Sequence, residues 1–500
     1  MSGDPTHTDS AIAVLIDSAA RLRQQGRFAQ AAQAYSAVVQ AVPEVATTWY
    51  NLGFCQRMSG QFEAALTSYQ NAIDRGLDAS EEAHLNRAVI FSDALRRDAD
   101  AERELRRALE LNPNYLAAIL NLANLSEDLG RRPEAIALYE RALELDPKCS
   151  TALARYANLL PSGPSTSAVV SRLRHAMSDP AISGAHKAEL GFSLGRVLDQ
   201  RGEFDAAFQA YSDANAESRR ALGARYDRAA AEALVAHIIE VFSERAPTPE
   251  PPRWAPVFIC GMFRSGSTLA EQVLAGHGRI SPGGEIGVVP ALVQETVTPF
   301  PERAADLNST ALASLTEEYE RRVRRLFPGV DLVTDKWLGN YLYVGLIKRM
   351  FPTAKIVHTV RHPLDNVLSV FFLHLDASLG YAVDLMDTAH QLRLSRRLMA
   401  HWRDLYPADV IEFDYDAFVA KPRETAQALT EALGLAWDEE CLAIQRRTNA
   451  VKTASVWQVR QSLYSTSSGR WENYRRPLEE VRSYLADLLE SAQSSLLDRL

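Results

Sequence analysis

Apolar residues recur at helical spacing through the first half of the chain, and the pattern repeats in units of about 34 residues. In four units an alanine follows a glycine by five residues and a tyrosine follows it by nine. The glycines are Gly26, Gly60, Gly130 and Gly202, and the tyrosines are Tyr35, Tyr69, Tyr139 and Tyr211. A further unit, around Ala101, Leu105 and Ala108, lacks the glycine. The pattern predicts stacked helix-turn-helix units in which the tyrosines belong to the core and form no binding stripe.

The stretch WYNLGF, with Trp49, Leu52 and Gly53, adds a further feature to these offsets. Together they resemble the tetratricopeptide repeat, whose units carry W-x-x-L-G followed by small and aromatic residues. The resemblance implies a helical superhelix whose concave groove binds a peptide or protein partner. An unrelated helical bundle with accidental periodicity is the alternative.

The helical pattern stops at residues 245–256, RAPTPEPPRWAP, where five of twelve residues are proline. Proline cannot continue a helix, so this segment is the predicted domain boundary. We therefore expect a helical repeat array over residues 1–244, a proline-rich linker over 245–256 and a second domain over 257–500.

A different pattern begins directly after the prolines. VFIC at 257–260 is a short apolar run typical of a buried parallel strand, and a helical pattern starts near Leu269. Between them, GMFRSGST places backbone N–H groups and a helix N-terminus around one point, which predicts an anion site. The candidate ligand-binding residues of this loop are Arg264, Ser265, Gly266, Ser267 and Thr268.

The same loop almost matches the phosphate loop of ATP- and GTP-binding proteins. Gly261, Gly266 and Thr268 stand at its spacing, but Ser267 occupies the position of the lysine that holds the β- and γ-phosphates. No acidic residue at a strand end is a convincing partner of Thr268 for holding magnesium, and Asp335 is the nearest candidate. We therefore expect a ligand with one or two anionic groups at this point and no metal.

A second strand-turn-helix element lies at residues 355–372, KIVHTVRHPLDNVLSVFF. Arg361 at the strand end and Ser369 two turns into the helix could reach one further phosphate; the alternative for Ser369 is a bond to its own helix. Two anion sites on one doubly wound sheet favour a ligand with phosphates at both ends of a ribose.

RSGST, VRHPLDNVLS and YDAFVAKP at 415–422 resemble the sulfotransferases that use 3′-phosphoadenosine 5′-phosphosulfate. Over about residues 255–475, the resemblance implies a parallel α/β sheet with flanking helices. It also implies that the first loop holds the 5′-phosphosulfate, whereas Arg361 and Ser369 hold the 3′-phosphate.

Further residues resemble the tyrosylprotein type of this family. The pattern implies Glu285 as the catalytic base, Lys336 and Ser455 as stabilisers of charge on the leaving nucleotide, and Arg470 as a nucleotide contact. Those enzymes carry basic residues just after the glutamate, whereas IGVVPAL follows Glu285 here, so a preference for acidic peptides stays open.

Each of these residues also has a structural interpretation. Glu285 could cap a helix, Arg264 could be a surface charge, and Lys336 could be solvated. His358, His362 and His374 lie close together in sequence, as metal ligands often do, but their spacing is not that of a metal site. We therefore expect structural roles for them. Packing is likewise expected for Trp471 and Tyr474.

Composition limits the classes of function. The 500 residues exceed what one core usually serves, and the net charge of −9 gives no basic field for nucleic acid. The four cysteines are far apart, which favours free thiols in a reducing compartment. No run of 18 apolar residues and no basic signal region occur, so we expect a cytoplasmic protein without a membrane span.

Three functions follow from the sequence. The leading one is a sulfotransferase that modifies an acceptor hydroxyl, such as a protein tyrosine, with the repeats binding the substrate or a partner. The others are a kinase-like enzyme that uses Mg-ATP and a non-catalytic repeat scaffold with a nucleotide-binding domain. A homodimer stays open as the oligomeric state.

Overall fold

The computed structural model of the chain describes residues 5–161, 163, 165–223, 225–245, 254–376, 378–444 and 468–490. The chain divides into two compact units, Met1–Ala152 and Leu153–Leu500. The division lies well before the proline-rich segment at which the sequence pattern changes. Residues 153–244 therefore group with the second unit, and the grouping of residues 1–244 as one array stays a prediction.

The first unit is built from helices joined by short turns. They are α1 (Pro5–Gln24), α2 (Phe28–Ala41), α3 (Ala46–Met58), α4 (Phe62–Asp74), α5 (Ser80–Val89), α6 (Asp98–Leu111), α7 (Leu116–Asp128) and α8 (Arg132–Leu145), with a π-helical turn at Ile90–Ala94. The next helix, α9 (Ser150–Leu159), includes the residue at which the two units are divided.

The repeat glycines occupy turns that need a left-handed backbone. Gly26, Gly60 and Gly130 have φ of +72°, +77° and +75°, which residues with a Cβ rarely adopt. In the unit that lacks the glycine, Arg96 takes this place with φ of +54°. The left-handed turn of the repeat thus forms even in the unit whose turn glycine is missing.

The small and aromatic repeat residues form the core between helices. Ala65 and Tyr69 are fully buried, and a Cβ added at Gly53 would lie 3.1 Å from the Tyr69 ring. Tyr35 and Tyr139 are buried in the same way. The prediction that the repeat tyrosines pack in the core is confirmed.

The second unit opens with helices and continues into a sheet domain. Its first helices are α10 (Ser165–Met177), α11 (Gly184–Gln200), α12 (Phe204–Leu222) and α13 (Arg228–Val241). Gly202, between α11 and α12, has φ of +76°, and a Cβ at Gly195 would lie 2.8 Å from the Tyr211 ring. The repeat-like pairing of helices therefore continues into this unit.

In the described part of the chain, five parallel strands form the sheet, in the order β2-β3-β1-β4-β5. They are β1 (Val257–Gly261), β2 (Ile280–Ser281), β3 (Leu332–Asp335), β4 (Ile356–Val360) and β5 (Val410–Asp414). Gly261 at the end of β1 lies opposite Thr359 near the end of β4. The loops that follow these two strands therefore meet at one edge of the sheet.

Helices cover the sheet on both faces. They are α14 (Ser267–Leu274), α15 (Val288–Thr296), α16 (Glu302–Ala305), α17 (Ser309–Leu326), α18 (Val344–Met350), α19 (Pro363–Phe371), α20 (Leu385–Leu405), α21 (Tyr415–Ala420), α22 (Pro422–Ala432) and α23 (Glu479–Tyr484), with 3₁₀ turns at Leu338–Leu342, Gly380–Val383, Glu439–Leu442 and Arg470–Tyr474.

The apolar run of β1 is buried on both sides, as its composition predicts. Phe258 and Cys260 pack in the core on one face of the sheet, and Val257 and Ile259 pack in the core on the other. The predicted combination of a helical repeat array and a parallel α/β domain is confirmed. Among the described residues, no helix is both long enough and apolar enough to cross a membrane.

Candidate active site

The loop after β1 has two positions that only glycine fits. Gly261 has φ of +148°, and a Cβ there would lie 2.6 Å from the Thr359 carbonyl oxygen. Gly266 has φ of +101°, and a Cβ there would lie 2.9 Å from the Tyr415 ring. The glycine spacing therefore reflects the close approach of this loop to β4 and to α21.

Side chains hold the loop in shape. The Ser265 hydroxyl donates to the Met262 carbonyl at 2.6 Å and lies 2.6 Å from the Thr359 hydroxyl. Asn366 donates to the Phe263 carbonyl at 2.7 Å. Ser265 is thus placed as a support of the loop, while Ser267 and Thr268 form the first turn of α14, where backbone N–H groups have no helical partner.

Arg264 connects the two predicted anion elements. It has a left-handed backbone, with φ of +67°, and its Nε donates to the Ser369 hydroxyl at 3.1 Å. Arg361 Nη1 makes a long hydrogen bond of 3.5 Å to the Arg264 carbonyl, and its guanidinium lies 4.9 Å from the centre of the Tyr415 ring. Arg264, Arg361 and Ser369 therefore form one cluster, and the Ser369 hydroxyl is used by Arg264.

The cluster is strongly cationic. Burial is the main reason why the pKa of Arg264 falls to about 10. The positive charges that lower it further are those of Arg361, Arg196 and Arg470. Of the four arginines in this cluster, the sequence pattern singled out Arg264, Arg361 and Arg470. It gave no indication of Arg196, which lies on α11. A surface position for Arg264 does not fit this environment, whereas an anion site does.

Glu285 and Lys336 form a pair beside the end of β3. Lys336 Nζ lies 3.1 Å from Glu285 Oε1, and the Lys336 side chain is only 1% exposed, against 37% for Glu285. Lys336 is therefore no solvated surface lysine. The N-cap position of α15 is occupied by Gly287 and not by Glu285.

Two residues that sequence reasoning missed hold the segment that carries Glu285. Glu271 Oε1 accepts hydrogen bonds from the Gly284 N–H at 2.8 Å and from the Thr334 hydroxyl at 2.7 Å. The Thr334 hydroxyl oxygen in turn accepts a hydrogen bond from the Gly283 N–H at 2.9 Å. The helical pattern gives Glu271 no distinguishing mark, yet it is 4% exposed.

Asp335 has a structural role. Its carboxylate accepts from the Tyr319 hydroxyl at 2.7 Å and from the Asn340 amide at 3.0 Å, with the Trp337 N–H at 3.2 Å. Burial raises the pKa of Asp335. These partners hold the Asp335 carboxylate in the protein interior. The arrangement does not fit a magnesium ligand beside Thr268.

The described C-terminal candidate residues contact two helices, α11 and α19. Arg470 pairs with Asp199 of α11 at 2.6 Å, and the Tyr474 hydroxyl donates to the same carboxylate. The Trp471 N–H donates to Asp365 at 2.8 Å. Ser455 lies outside the described residues.

The three histidines lie in packed surroundings of the sheet domain. Burial lowers the pKa of His358 far below its usual value, and that residue lies within β4. His362 stacks on Trp471, and His374 stacks on Phe192. Within the part of the chain that the structure describes, no three His, Cys, Asp or Glu residues are grouped to hold a metal.

A cleft of about 1180 Å³ shares Arg361 with the candidate site. Its other lining includes Arg396, Arg397 and Asp414, and among the described residues it reaches neither Glu285 nor Lys336. The cleft therefore borders the Arg361 side of the site and lies apart from the Glu285–Lys336 pair.

Comparison with known families agrees with both halves of this description. The tetratricopeptide-repeat models match residues 17–76, 56–115 and 98–160, and the sulfotransferase-family model matches residues 256–439. The chain carries tetratricopeptide repeats and a sulfotransferase domain. That domain contains the loop after β1, the Glu285–Lys336 pair and the Arg361–Ser369 element, whereas α11 lies outside all of the matched ranges.

Similar proteins are only partly covered or distant. An uncharacterized protein of Aquifex aeolicus (strain VF5) is 30% identical over 77% of this chain, but this chain spans about half of that protein, 52%. A protein of Caenorhabditis briggsae described as a "putative protein-tyrosine sulfotransferase" is 22% identical over 48% of this chain and 91% of its own length. The sulfotransferase domain of the Synechococcus PCC 7002 olefin synthase is 21% identical, with a TM-score of 0.34, over 46% of this chain and 90% of its own.

Proposed function

We propose that the sulfotransferase domain transfers a sulfuryl group from 3′-phosphoadenosine 5′-phosphosulfate to an acceptor hydroxyl. The observation that supports this most strongly is the meeting of two anion elements in one cationic cluster, through the Arg264–Ser369 hydrogen bond. A donor with phosphates at both ends of its ribose matches such a pair of elements. The family match to residues 256–439 supports the same reaction class.

The donor would occupy the edge of the sheet where β1 and β4 end. The N–H groups at the start of α14, with Ser267 and Thr268, would hold the 5′-phosphosulfate. Arg361 and Ser369 would hold the 3′-phosphate, because the resemblance gives them that role; the hydrogen bonds of each to Arg264 support this assignment. Arg264 lies between the two elements and would contribute charge to both.

Glu285 would accept the proton of the acceptor hydroxyl as that oxygen attacks sulfur. The new bond joins the acceptor oxygen to sulfur, and the bond from sulfur to the phosphate oxygen of the nucleotide breaks. Lys336, 3.1 Å from Glu285, would stabilise negative charge that develops on that departing oxygen. Ser455 would share this task on the strength of the resemblance.

The acceptor would be a phenol, and a protein tyrosine is the candidate that the resemblance favours. A phenol has a pKa of about 10, so a carboxylate base activates it more easily than an alkyl alcohol. The tetratricopeptide repeats would bind the protein that carries the tyrosine, or a partner of the enzyme, as arrays of this kind bind peptides. The segment directly after Glu285, IGVVPAL, contains no basic residue, so acidic flanking sequence would not be required.

Titration calorimetry tests the donor assignment. The intact chain, in buffer with a chelator, is titrated with adenosine 3′,5′-bisphosphate, and in a second experiment with Mg-ATP. We expect metal-free binding of the bisphosphate that is much tighter than binding of Mg-ATP. Binding of Mg-ATP alone would overturn the proposal in favour of the kinase-like alternative.

A further inference from the structure

The last turn of α11 contacts the C-terminal segment beside the candidate donor site. Asp199 pairs with Arg470 at 2.6 Å, and its carboxylate also accepts from the Tyr474 hydroxyl. Asp199 is 14% exposed, so this ion pair is largely shielded from water. A helix outside the matched family ranges thus reaches the cationic cluster.

Aromatic packing fixes α11 and α12 against the end of α19. The Tyr211 ring stacks on Phe372 with centroids 3.9 Å apart, and Phe192 stacks on His374 at 5.1 Å. Asn215 donates to the Phe371 carbonyl at 2.8 Å. Since α19 carries Ser369, this packing brings α12 to the end of that helix and α11 to His374 just beyond it.

Arg196 is one helical turn before Asp199, so both lie on the same face of α11. Its positive charge acts on Arg264, which donates to Ser369. The Nε atom of Arg196 is shielded from solvent and has no hydrogen-bond partner in the portion of the chain that the structure describes. A buried donor of this kind is unfavourable until an acceptor arrives.

The surroundings of Arg196 favour an anion as that acceptor. Asp199, the carboxylate one turn away, is already engaged by Arg470 and Tyr474. The positive charges of Arg264 and Arg196 repel each other in a poorly solvated space. A phosphate bound near both would attract both and offset that repulsion.

We propose that Arg196 binds the 3′-phosphate of the donor, so that a helix outside the sulfotransferase domain completes the nucleotide site. The inference rests on the proposed function, because it takes the donor to be a nucleoside 3′,5′-bisphosphate derivative. The 3′-phosphate is assigned because the charge of Arg196 acts on Arg264, whose Nε donates to Ser369, and because α11 contacts His374 just beyond the end of α19. The docking of α11 depends on Phe192 and its aromatic neighbours and does not require Arg196.

Three nucleotide ligands distinguish an effect on the 3′-phosphate from an effect on the 5′-phosphate. The intact chain and Arg196→Met are titrated with adenosine 3′,5′-bisphosphate, adenosine 3′-monophosphate and adenosine 5′-monophosphate. We expect Arg196→Met to weaken both 3′-phosphate ligands by about tenfold or more, as for one lost charge-assisted hydrogen bond, and to leave the 5′-monophosphate unchanged. Arg196→Lys, which keeps the charge, should recover part of the affinity.

Arg172→Met serves as the control because it removes an equal charge from the exposed face of α10, and it should bind all three ligands as the wild type does. Thermal unfolding without ligand establishes that each variant is folded. Equal binding of the bisphosphate by the wild type and Arg196→Met would overturn this inference and leave the proposed function standing. Equal weakening of all three ligands would also overturn it. Failure of the wild type to bind the bisphosphate would overturn both.

Discussion

Thr334→Val tests the network that positions Glu285. Thr334 is fully buried, its oxygen accepts from the Gly283 N–H at 2.9 Å, and its hydroxyl donates to Glu271 at 2.7 Å. Valine has nearly the same shape as threonine, so the substitution removes both hydrogen bonds without opening a cavity. The effect therefore isolates the hydrogen bonds of this network.

The size of the effect follows from what is left unsatisfied. A Cβ built on Gly283 would lie 2.0 Å from the Thr334 carbonyl oxygen, so the two backbones are too close for water to replace the hydroxyl. An unpaired buried N–H costs about 1–3 kcal/mol, and a lost hydrogen bond to a carboxylate costs about 1.5–3 kcal/mol. Because Glu271 keeps its bond to Gly284, we expect a total of about 2–4 kcal/mol.

Urea unfolding of the intact chain measures this cost, with Thr430→Val as the matched control. Thr430 is equally buried, but its hydroxyl donates to the Ala426 and Gln427 carbonyls of its own helix, which the backbone already occupies. Its replacement should cost less than about 1 kcal/mol. Thr334→Val should also lower kcat while bisphosphate affinity is retained. Equal unfolding free energies for the two variants would refute the reasoning.

Three more substitutions test other parts of the structure. Gly60→Ala should lower the unfolding free energy by about 1–2 kcal/mol through its φ of +77° alone, because a Cβ there meets nothing within 4 Å; an unchanged urea midpoint would contradict this. Ser369→Ala should weaken adenosine 3′,5′-bisphosphate by about tenfold in calorimetry and spare the 5′-monophosphate, whereas equal loss of both would remove Ser369 from the 3′-phosphate site. Asp199→Asn should cost about 1–2 kcal/mol in urea unfolding, since it breaks a shielded pair with Arg470; a cost near zero would mean that the pair contributes little.

The repeats and the sheet domain could be predicted because their signals are local. Glycine, alanine and tyrosine recur at fixed offsets, and each offset reports one turn or one helix contact. The strand VFIC and the loop after it are likewise adjacent in sequence, as are Arg361 and Ser369 on one strand-helix element. In the unit around Ala101 the helix signal is present but the glycine is absent, so the sequence did not indicate that Arg96 would adopt the left-handed turn.

The rest of the site could not be predicted because it depends on contacts between distant segments. Glu271 lies on a helix whose pattern would place a carboxylate in solvent, and only the fold brings it to Thr334 and Gly284. Arg196 belongs to a helix with repeat character, so its sequence context suggests packing and no ligand. The unit boundary at Ala152 reflects the same limit, because proline content marks where a helix pattern stops and not where packing changes.

Transfer of radiolabelled sulfate from 3′-phosphoadenosine 5′-phosphosulfate tests the central claim most directly. The intact chain and Glu285→Gln are incubated in chelator with the labelled donor and a panel of phenols and tyrosine-containing peptides. The account predicts that the wild type labels at least one phenolic hydroxyl and that Glu285→Gln is slower by about 10²-fold or more with unchanged bisphosphate binding. Absence of transfer by the wild type, or equal transfer by Glu285→Gln, would contradict it.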